Sequence, residues 1–136
     1  MPRIVLDCNV FVSALLSPKG GSAQILGQWA DGDFDLVVSP LLLAELEEVV
    51  GRPKFHTSID SAHVDALVSG LVEDAVLVGD PPRQPGLTPD PGDDYLVALA
   101  QEADAQCIVS GDAHLTQLVD VSPPVLTPRE FLEGRK

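Results

Sequence analysis

The sequence predicts an α/β fold with three layers, in which helices cover both faces of a central parallel sheet of about five strands. The chain opens on a short apolar run, Ile4-Val5-Leu6, and wholly apolar runs of this kind are typical of strands buried on both faces. Similar runs then alternate with longer segments of helical periodicity. This alternation favours right-handed crossovers between parallel strands.

Length and composition are those of an ordinary globular protein. The 136 residues suffice for a buried core, and we take residues 1–136 as a single domain. No apolar run approaches the ~20 residues of a membrane span, and the start lacks the regions of a signal peptide, so we expect a cytoplasmic protein without a membrane partner. Cys8 and Cys107 lie in or beside predicted strands, which predicts reduced core thiols.

The net charge of −13 comes from 21 acidic and 8 basic residues. It argues against a protein that coats nucleic acid through a broad basic surface. It fits a protein that reaches an anionic substrate through bound cations, or one with a basic protein partner. On charge alone, a solvated acidic surface without specific meaning is the favoured interpretation.

In the first half of the chain, helical spacing predicts helices over residues 10–16, 23–29, 40–50 and 60–72, and an apolar run predicts a second strand over 34–39. We expect Ser22 to be the N-cap of the second helix. Ser39-Pro40 begins the third helix with a capping hydroxyl and a proline at the first helical position.

In the second half, apolar runs predict strands over residues 75–78, 107–110 and 125–126. Asp93-Asp94 opens a helix, a short helical turn follows Asp112, and Thr127 with Glu130 forms a capping box for the last helix. Residues 79–92 hold five prolines and three glycines in fourteen positions, and this composition predicts a loop at the rim of the sheet.

Aspartates follow two of the predicted strands. Asp7 comes after the first strand and Asp112 after the fourth, so both belong at the carboxyl edge, where open α/β sheets bind their ligands. We expect simple alternation to place Asp93 at the opposite edge, so that it joins them only if the proline-rich loop carries the chain back over the rim. Acids in a first turn, such as Asp93 and Asp94, also complement the helix dipole without any further role.

Several carboxylates at one spot predict a metal centre. They repel one another and raise one another's pKa values, and a divalent cation relieves this. Oxygen ligands without thiolates or paired histidines select Mg²⁺ or Mn²⁺. Two such ions about 4 Å apart can activate water and stabilise the leaving oxygen of a phosphodiester.

Asp7 is the strongest single candidate because it lies at the tip of a buried strand, with a solvated loop aspartate as the alternative. Asn9 either holds Asp7 or a water, or caps a helix. Ser110-Gly111-Asp112 repeats the strand-end pattern, with Ser110 in support and an ordinary turn aspartate as the alternative. His114 contacts a phosphate or, more simply, is an exposed loop histidine.

The third helix offers three glutamates. On a helical wheel Glu45 and Glu47 flank the apolar stripe on opposite sides, so amphipathicity does not choose between them. Glu45 lies about 9 Å along the axis from Ser39 and Glu48 about 13 Å, at 1.5 Å per residue. The distance favours Glu45 only slightly.

Three segments, IVLDCNVFVSALL, SPLLLAELEEVVGRPKF and DPGDDYLVALAQEADAQCIVSGDAHL, resemble the PIN-domain family, and in particular its VapC-type toxins. The resemblance runs from Arg3 to about Phe131. It implies a Mg²⁺- or Mn²⁺-dependent nuclease of single-stranded RNA and a parallel sheet in the order 3-2-1-4-5. It also implies an antitoxin partner and a homodimer.

The resemblance assigns four acids to the site, namely Asp7, Glu45, Asp93 and Asp112. It makes Asn9 the polar companion of the first acid, and Asp94 a variable neighbour and substitute for the third. His114 departs from the family pattern, since many members carry another acid there, and this affects the second metal position.

The sequence therefore supports two hypotheses of function. The first is an endoribonuclease whose RNA backbone is held by Lys19, Arg52 and Lys54, which otherwise are plain surface charges. The second is a non-catalytic interaction module that binds a basic antitoxin in an acidic groove. A phosphatase with Asp7 as nucleophile is a weak third, since position 9 is an asparagine and not an acid.

Overall fold

The computed structural model describes residues 2–82, 91–118 and 121–134. Within them, five parallel strands form one sheet in the order β3-β2-β1-β4-β5. The strands are β1 (Arg3–Leu6), β2 (Asp35–Val38), β3 (Val76–Leu77), β4 (Cys107–Val109) and β5 (Val125–Leu126). The predicted fold class and strand order are confirmed.

Helices flank this sheet on both faces. They are α1 (Cys8–Leu16), α2 (Gly21–Ala30), α3 (Pro40–Val50), α4 (Ser61–Asp74), α5 (Pro91–Glu102), α6 (Ala113–Thr116), α7 (Pro128–Gly134) and a short 3-10 helix (Pro53–Phe55). No helix in the described part of the chain is both long and apolar enough to cross a membrane.

The centre of the sheet is buried on both sides, which explains the absence of alternation in its strands. Val5, Leu36 and Ile108 are each fully buried, at 0% exposure. The rings of Phe34 and Phe131 meet edge to face with centroids 5.6 Å apart, which fixes α7 against the start of β2. Both cysteines are buried and free, as predicted.

Two of the predicted helix caps are confirmed. The Ser39 Oγ accepts a hydrogen bond from the Leu42 amide at 3.2 Å at the start of α3. At α7 the Thr127 Oγ1 accepts from the Glu130 amide at 3.0 Å, while the Glu130 carboxylate accepts from the Thr127 amide at 2.9 Å. These bonds satisfy amides that the first turn of a helix leaves without backbone partners.

The predicted cap of α2 is wrong. The helix begins at Gly21 with Gly20 as its extended N-cap, and Ser22 is buried within the first turn. A turn held by the bond from the Gly20 amide to the Ser17 carbonyl, 2.9 Å long, leads directly into the helix. Because the glycine takes the cap position, the serine is left to pack inward.

The expectation that simple alternation takes Asp93 to the far edge is also wrong. A helix between two parallel strands runs antiparallel to them, so its first turn lies at the carboxyl edge without any return crossing. Accordingly, Tyr95 in the first half of α5 contacts Ser39, which follows β2, and Asp80, which follows β3. Of the predicted rim loop, residues 83–90 lie outside the described part, and α5 already begins at Pro91.

Candidate functional site

Asp7 is fixed at the carboxyl edge by its own backbone. Its amide donates to the Val109 carbonyl at 2.9 Å, which continues the ladder between β1 and β4 by one residue. Its extended backbone makes it the N-cap of α1, yet its side chain makes no capping hydrogen bond. The carboxylate is therefore not used in capping and is available at the carboxyl edge of the sheet.

A small network holds that carboxylate in place. Asp7 Oδ2 accepts hydrogen bonds from Ser110 Oγ at 2.8 Å and from Asn9 Nδ2 at 3.2 Å. The Ser110 Oγ in turn accepts from the Asp112 amide at 3.0 Å, and the Asn9 Oδ1 accepts from the Gly111 amide at 3.3 Å. These hydrogen bonds join the loop after β1, which carries Asp7, to the loop after β4, which carries Asp112.

The acids of this edge act on one another electrostatically. Burial raises the pKa of Asp7, and the nearby charge of Asp112 adds to this effect, while the hydrogen bond from Ser110 opposes it. Partial desolvation raises the pKa of Glu45, followed by the charges of Asp7 and Glu48, while a hydrogen bond from the Cys8 thiol opposes the rise. Asp7 therefore interacts electrostatically with two other predicted site acids, Glu45 and Asp112.

These acids surround a cavity of about 650 Å³ at the carboxyl edge. Asp7, Glu45 and Asp112 all contribute to its lining. Its walls also contain apolar and aromatic side chains, among them Val12, Leu16, Val49, Phe55, Tyr95 and Leu96. A partly apolar wall lowers the local dielectric and strengthens every charge interaction inside the cavity.

The structure separates the three glutamates of α3. Glu45 faces the cavity that holds Asp7. Glu47 lines a different cavity between α3 and α4, and Glu48 forms an exposed ion pair with Arg52 at 2.9 Å. Only the position of Glu45 is therefore compatible with the acid site.

The donor chemistry at this edge fits a hard divalent cation. Asp7, Glu45 and Asp112 offer carboxylate oxygens, and burial, reinforced by neighbouring acids, raises the pKa values of the first two, an effect that a bound cation would oppose. Within residues 2–82, 91–118 and 121–134, however, no three acidic, histidine or cysteine side chains are close enough together to form a metal cluster. Asp93 lies in the first turn of α5, and its side chain is outside the described part.

Comparison with known proteins identifies the family. A family model described as the PIN domain matches residues 3–114 of this chain, which is most of its length. The chain belongs to the PIN-domain family.

Two further likenesses cover nearly the whole PIN chain. An uncharacterised protein of Methanocaldococcus jannaschii is 26% identical over 140 residues, which span 96% of this chain and 90% of the relative. A chain in the crystal structure of VapBC2 from Rickettsia felis, bound to a DNA fragment from its promoter, superposes with a TM-score of 0.63. That likeness covers 92% of this chain and 98% of the other at 15% identity, so it shows a shared fold.

The basic candidates lie outside the lining of the PIN cavity as described. Lys19 is exposed, and Arg52 is paired with Glu48. Lys54 places its Nζ 5.0 Å from the centroid of the Phe55 ring. His114 is exposed, and its amide, rather than its ring, contacts Asp112 at 2.9 Å.

Asp94 is not an open substitute for Asp93, because it is buried at 6% exposure. Among the lining residues of the PIN cavity that the sequence did not predict are Cys8, Phe55 and Tyr95. Each had a local signal, since Cys8 adjoins Asp7, Phe55 follows the basic Lys54, and Tyr95 follows the two acids of α5. Cys8 is an unreactive thiol, because burial and the charges of Glu45 and Asp7 raise its pKa to about 12.

Proposed function

We propose that this PIN domain is a divalent-metal-dependent endoribonuclease that acts as the toxin of a toxin–antitoxin pair. The observation that carries the proposal is the cavity at the carboxyl edge, which is lined by Asp7 after β1, by Asp112 after β4 and by Glu45 on α3. Burial of the Asp7 and Glu45 carboxylates costs the fold free energy. A site that binds a cation in function accounts for that cost.

Asp7, Glu45 and Asp112, joined by Asp93, would hold Mg²⁺ or Mn²⁺. The ion supplies Lewis acidity, which makes water a stronger nucleophile and stabilises the leaving oxygen of a phosphodiester. The protein's own part is orientation, because Ser110 and Asn9 leave the Asp7 carboxylate one fixed direction. Asp94, which is buried at 6% exposure on α5, would support the site rather than bind the ion directly.

The RNA backbone would be held by a few cations around the cavity. Lys19, Arg52 and Lys54 are exposed side chains suited to phosphate contacts, and His114 lies two residues beyond Asp112. Because exposed ion pairs contribute little, Arg52 can exchange Glu48 for a phosphate. With so few cations, affinity would be modest and would fall with salt.

The partner we propose is an antitoxin protein, and we propose in addition a homodimer, one domain over residues 1–136 and a cytoplasmic site of action. The fold shared with a chain of VapBC2 supports the toxin assignment. The acidic balance of the chain, −13, supports a basic partner.

A second candidate is an interaction module without catalysis. A cavity of about 630 Å³ between α3 and α4 has an apolar floor that includes Phe55, Ile59 and Val64. Its rim carries Glu47, Asp60 and Asp65. This combination suits a segment that offers apolar side chains between basic ones.

Cleavage of single-stranded RNA tests the proposal. We expect the purified protein to cleave with Mn²⁺ or Mg²⁺ and to stop with EDTA. Asp7→Asn should lower the rate at least ~100-fold, which corresponds to about 2.7 kcal/mol of transition-state stabilisation. Asp65→Asn, a change to an exposed acid on α4, is the matched control and should leave the rate unchanged.

Two outcomes would redirect the assignment. Undiminished cleavage by a folded Asp7→Asn protein would remove the metal mechanism. Absence of cleavage by the wild type across varied RNAs would favour the interaction module.

A further inference from the structure

The 3-10 helix after α3 brings basic and aromatic side chains together beside the acid cavity. Arg52, Lys54 and Phe55 lie within four positions, although the whole chain has only 8 lysines and arginines. Basic residues interleaved with an aromatic ring are typical of surfaces that bind single-stranded nucleic acid. The proposed nuclease function uses the charges of this segment but gives no role to its ring.

Phe55 is held firmly and yet stays partly accessible. Its amide donates to the Arg52 carbonyl at 3.0 Å, and its carbonyl accepts from the Ile59 amide at 2.9 Å. The ring is half-buried against the core and lines the same cavity as Asp7 and Glu45. A fixed aromatic surface therefore stands on one wall of the acid site.

Lys54 adds a positive charge at this surface. Its Nζ lies 5.0 Å from the Phe55 ring centroid, within the range of a cation–π interaction. The interaction restricts the ammonium group to the neighbourhood of the ring and so reduces the mobility of the lysine side chain. Because the ammonium lies over the ring, a base that stacks there would displace it from the ring face towards the adjoining phosphate.

We propose that Phe55 is a stacking platform for an unpaired base of the RNA next to the scissile phosphate, with Lys54 on a neighbouring phosphate. This inference rests on the proposed ribonuclease function and specifies its substrate as a strand with an unstacked base. A base inside a duplex is stacked on its neighbours and cannot offer its face to the ring. We therefore expect a perfect RNA duplex to be a poor substrate.

Fluorescence of 2-aminopurine tests the platform without cleavage. The probe is a short oligouridine with one central 2-aminopurine, titrated with wild-type protein in EDTA, and its emission falls when it stacks on a ring. We expect clear quenching by wild type and by Phe55→Tyr. Phe55→Leu, which keeps apolar volume but removes the ring, should lose the quenching and bind roughly 10-fold more weakly.

Controls separate stacking from folding. Val64→Ala shortens an apolar side chain that lines the cavity between α3 and α4 together with Phe55 but does not line the acid cavity, and this variant should quench like wild type. Thermal melting confirms that each variant is folded. Lys54→Gln should keep the quenching but reduce the dependence of log affinity on log salt by about one charge.

The platform and the nuclease can fail separately. If wild type cleaves single-stranded RNA but Phe55→Leu has the same KM and the same quenching, the platform is wrong and the nuclease stands. If wild type quenches the probe through Phe55 but cleaves no RNA, the nuclease is wrong and the strand-binding surface stands. Equal cleavage of a perfect duplex would overturn the platform.

Discussion

Ser110 does more than support one neighbour. Its hydroxyl donates to the Asp7 carboxylate and accepts from the Asp112 amide, so one buried side chain fixes the relation between the two loops. A hydroxyl can do both because it has a proton and two lone pairs. At the scale of single residues, hydrogen bonds to the Asp7 carboxylate favour its charged form, while burial of the same carboxylate disfavours it.

This competition predicts how Asp7 affects stability. Its pKa is raised in the fold, so the folded state binds the proton more tightly than the unfolded one, and stability falls as pH rises through that range. Above the raised pKa, Asp7 is charged in the folded state and its burial lowers the free energy of unfolding by the full amount. In EDTA at pH 7.5, we expect Asp7→Asn to raise Tm by a few degrees, with a gain that shrinks toward pH 4.

The asparagine can keep the network, since both bonds from Ser110 and Asn9 fall on the single oxygen Oδ2. An amide oxygen can accept both bonds, without the added strength that the charge of a carboxylate gives. Thermal melting over a pH series measures the effect. A lower Tm for Asp7→Asn at neutral pH would mean that the network, and not desolvation, dominates the energy of this residue.

The sequence predicted part of this site for a physical reason. Asp7 and Asp112 follow strands that pair directly with each other, and parallel strands bring their carboxyl ends together whatever the loop detail. Glu45 could not be chosen from periodicity, because Glu45 and Glu47 are equivalent beside the apolar stripe. The choice depends on which flank of α3 meets α1, which is a tertiary property.

At the scale of elements, a relay of hydrogen bonds joins α3, α5 and the segment after β3. The Leu42 amide donates to the Ser39 hydroxyl, which contacts the Tyr95 hydroxyl, and Tyr95 donates to Asp80 at 3.0 Å. Asp80 also accepts from the Leu41 amide at 3.0 Å. Burial, with Asp80 adding to it, raises the pKa of Tyr95 to about 12, so its hydroxyl stays protonated.

We expect Tyr95→Phe to lower the free energy of unfolding by about 1–2 kcal/mol, because one hydroxyl serves two hydrogen bonds. Ser39→Ala should cost at least as much, since it also removes the cap of α3. Urea unfolding of both single variants and the double variant measures the coupling. Strictly additive losses would show that the two hydroxyls act independently.

Helix starts were predicted best where a short local motif determines them. Ser39-Pro40 and Thr127-Pro128 combine a capping hydroxyl with a proline that suits the first helical position, and both helices begin there. The prediction of Ser22 as the N-cap of α2 was wrong because serine also packs inside helices. Gly20, with its extended backbone, occupies the N-cap position instead. The error over Asp93 was one of helix direction, since α5 descends from the carboxyl edge.

At the scale of the molecule, the dominant fact is a charge of −13. Two ion pairs are found among the described residues, Arg52–Glu48 and Arg129–Glu133. Both are exposed, and each joins residues only four positions apart in the sequence. Such pairs add little stability. Repulsion among the acids is therefore left for salt or for bound cations to relieve.

Thermal melting with divalent cations separates general relief from a specific site. Millimolar Mn²⁺ should raise Tm well beyond NaCl of equal ionic strength, because a ligand at 100 times its Kd stabilises by about 2.7 kcal/mol. Asp7→Asn should lose most of this shift, whereas Asp65→Asn, which removes one charge outside the lining of the acid cavity, should retain it. Equal shifts in wild type and both variants would mean that Mn²⁺ only screens the acidic surface, and the carboxylates at the carboxyl edge would then share no ion.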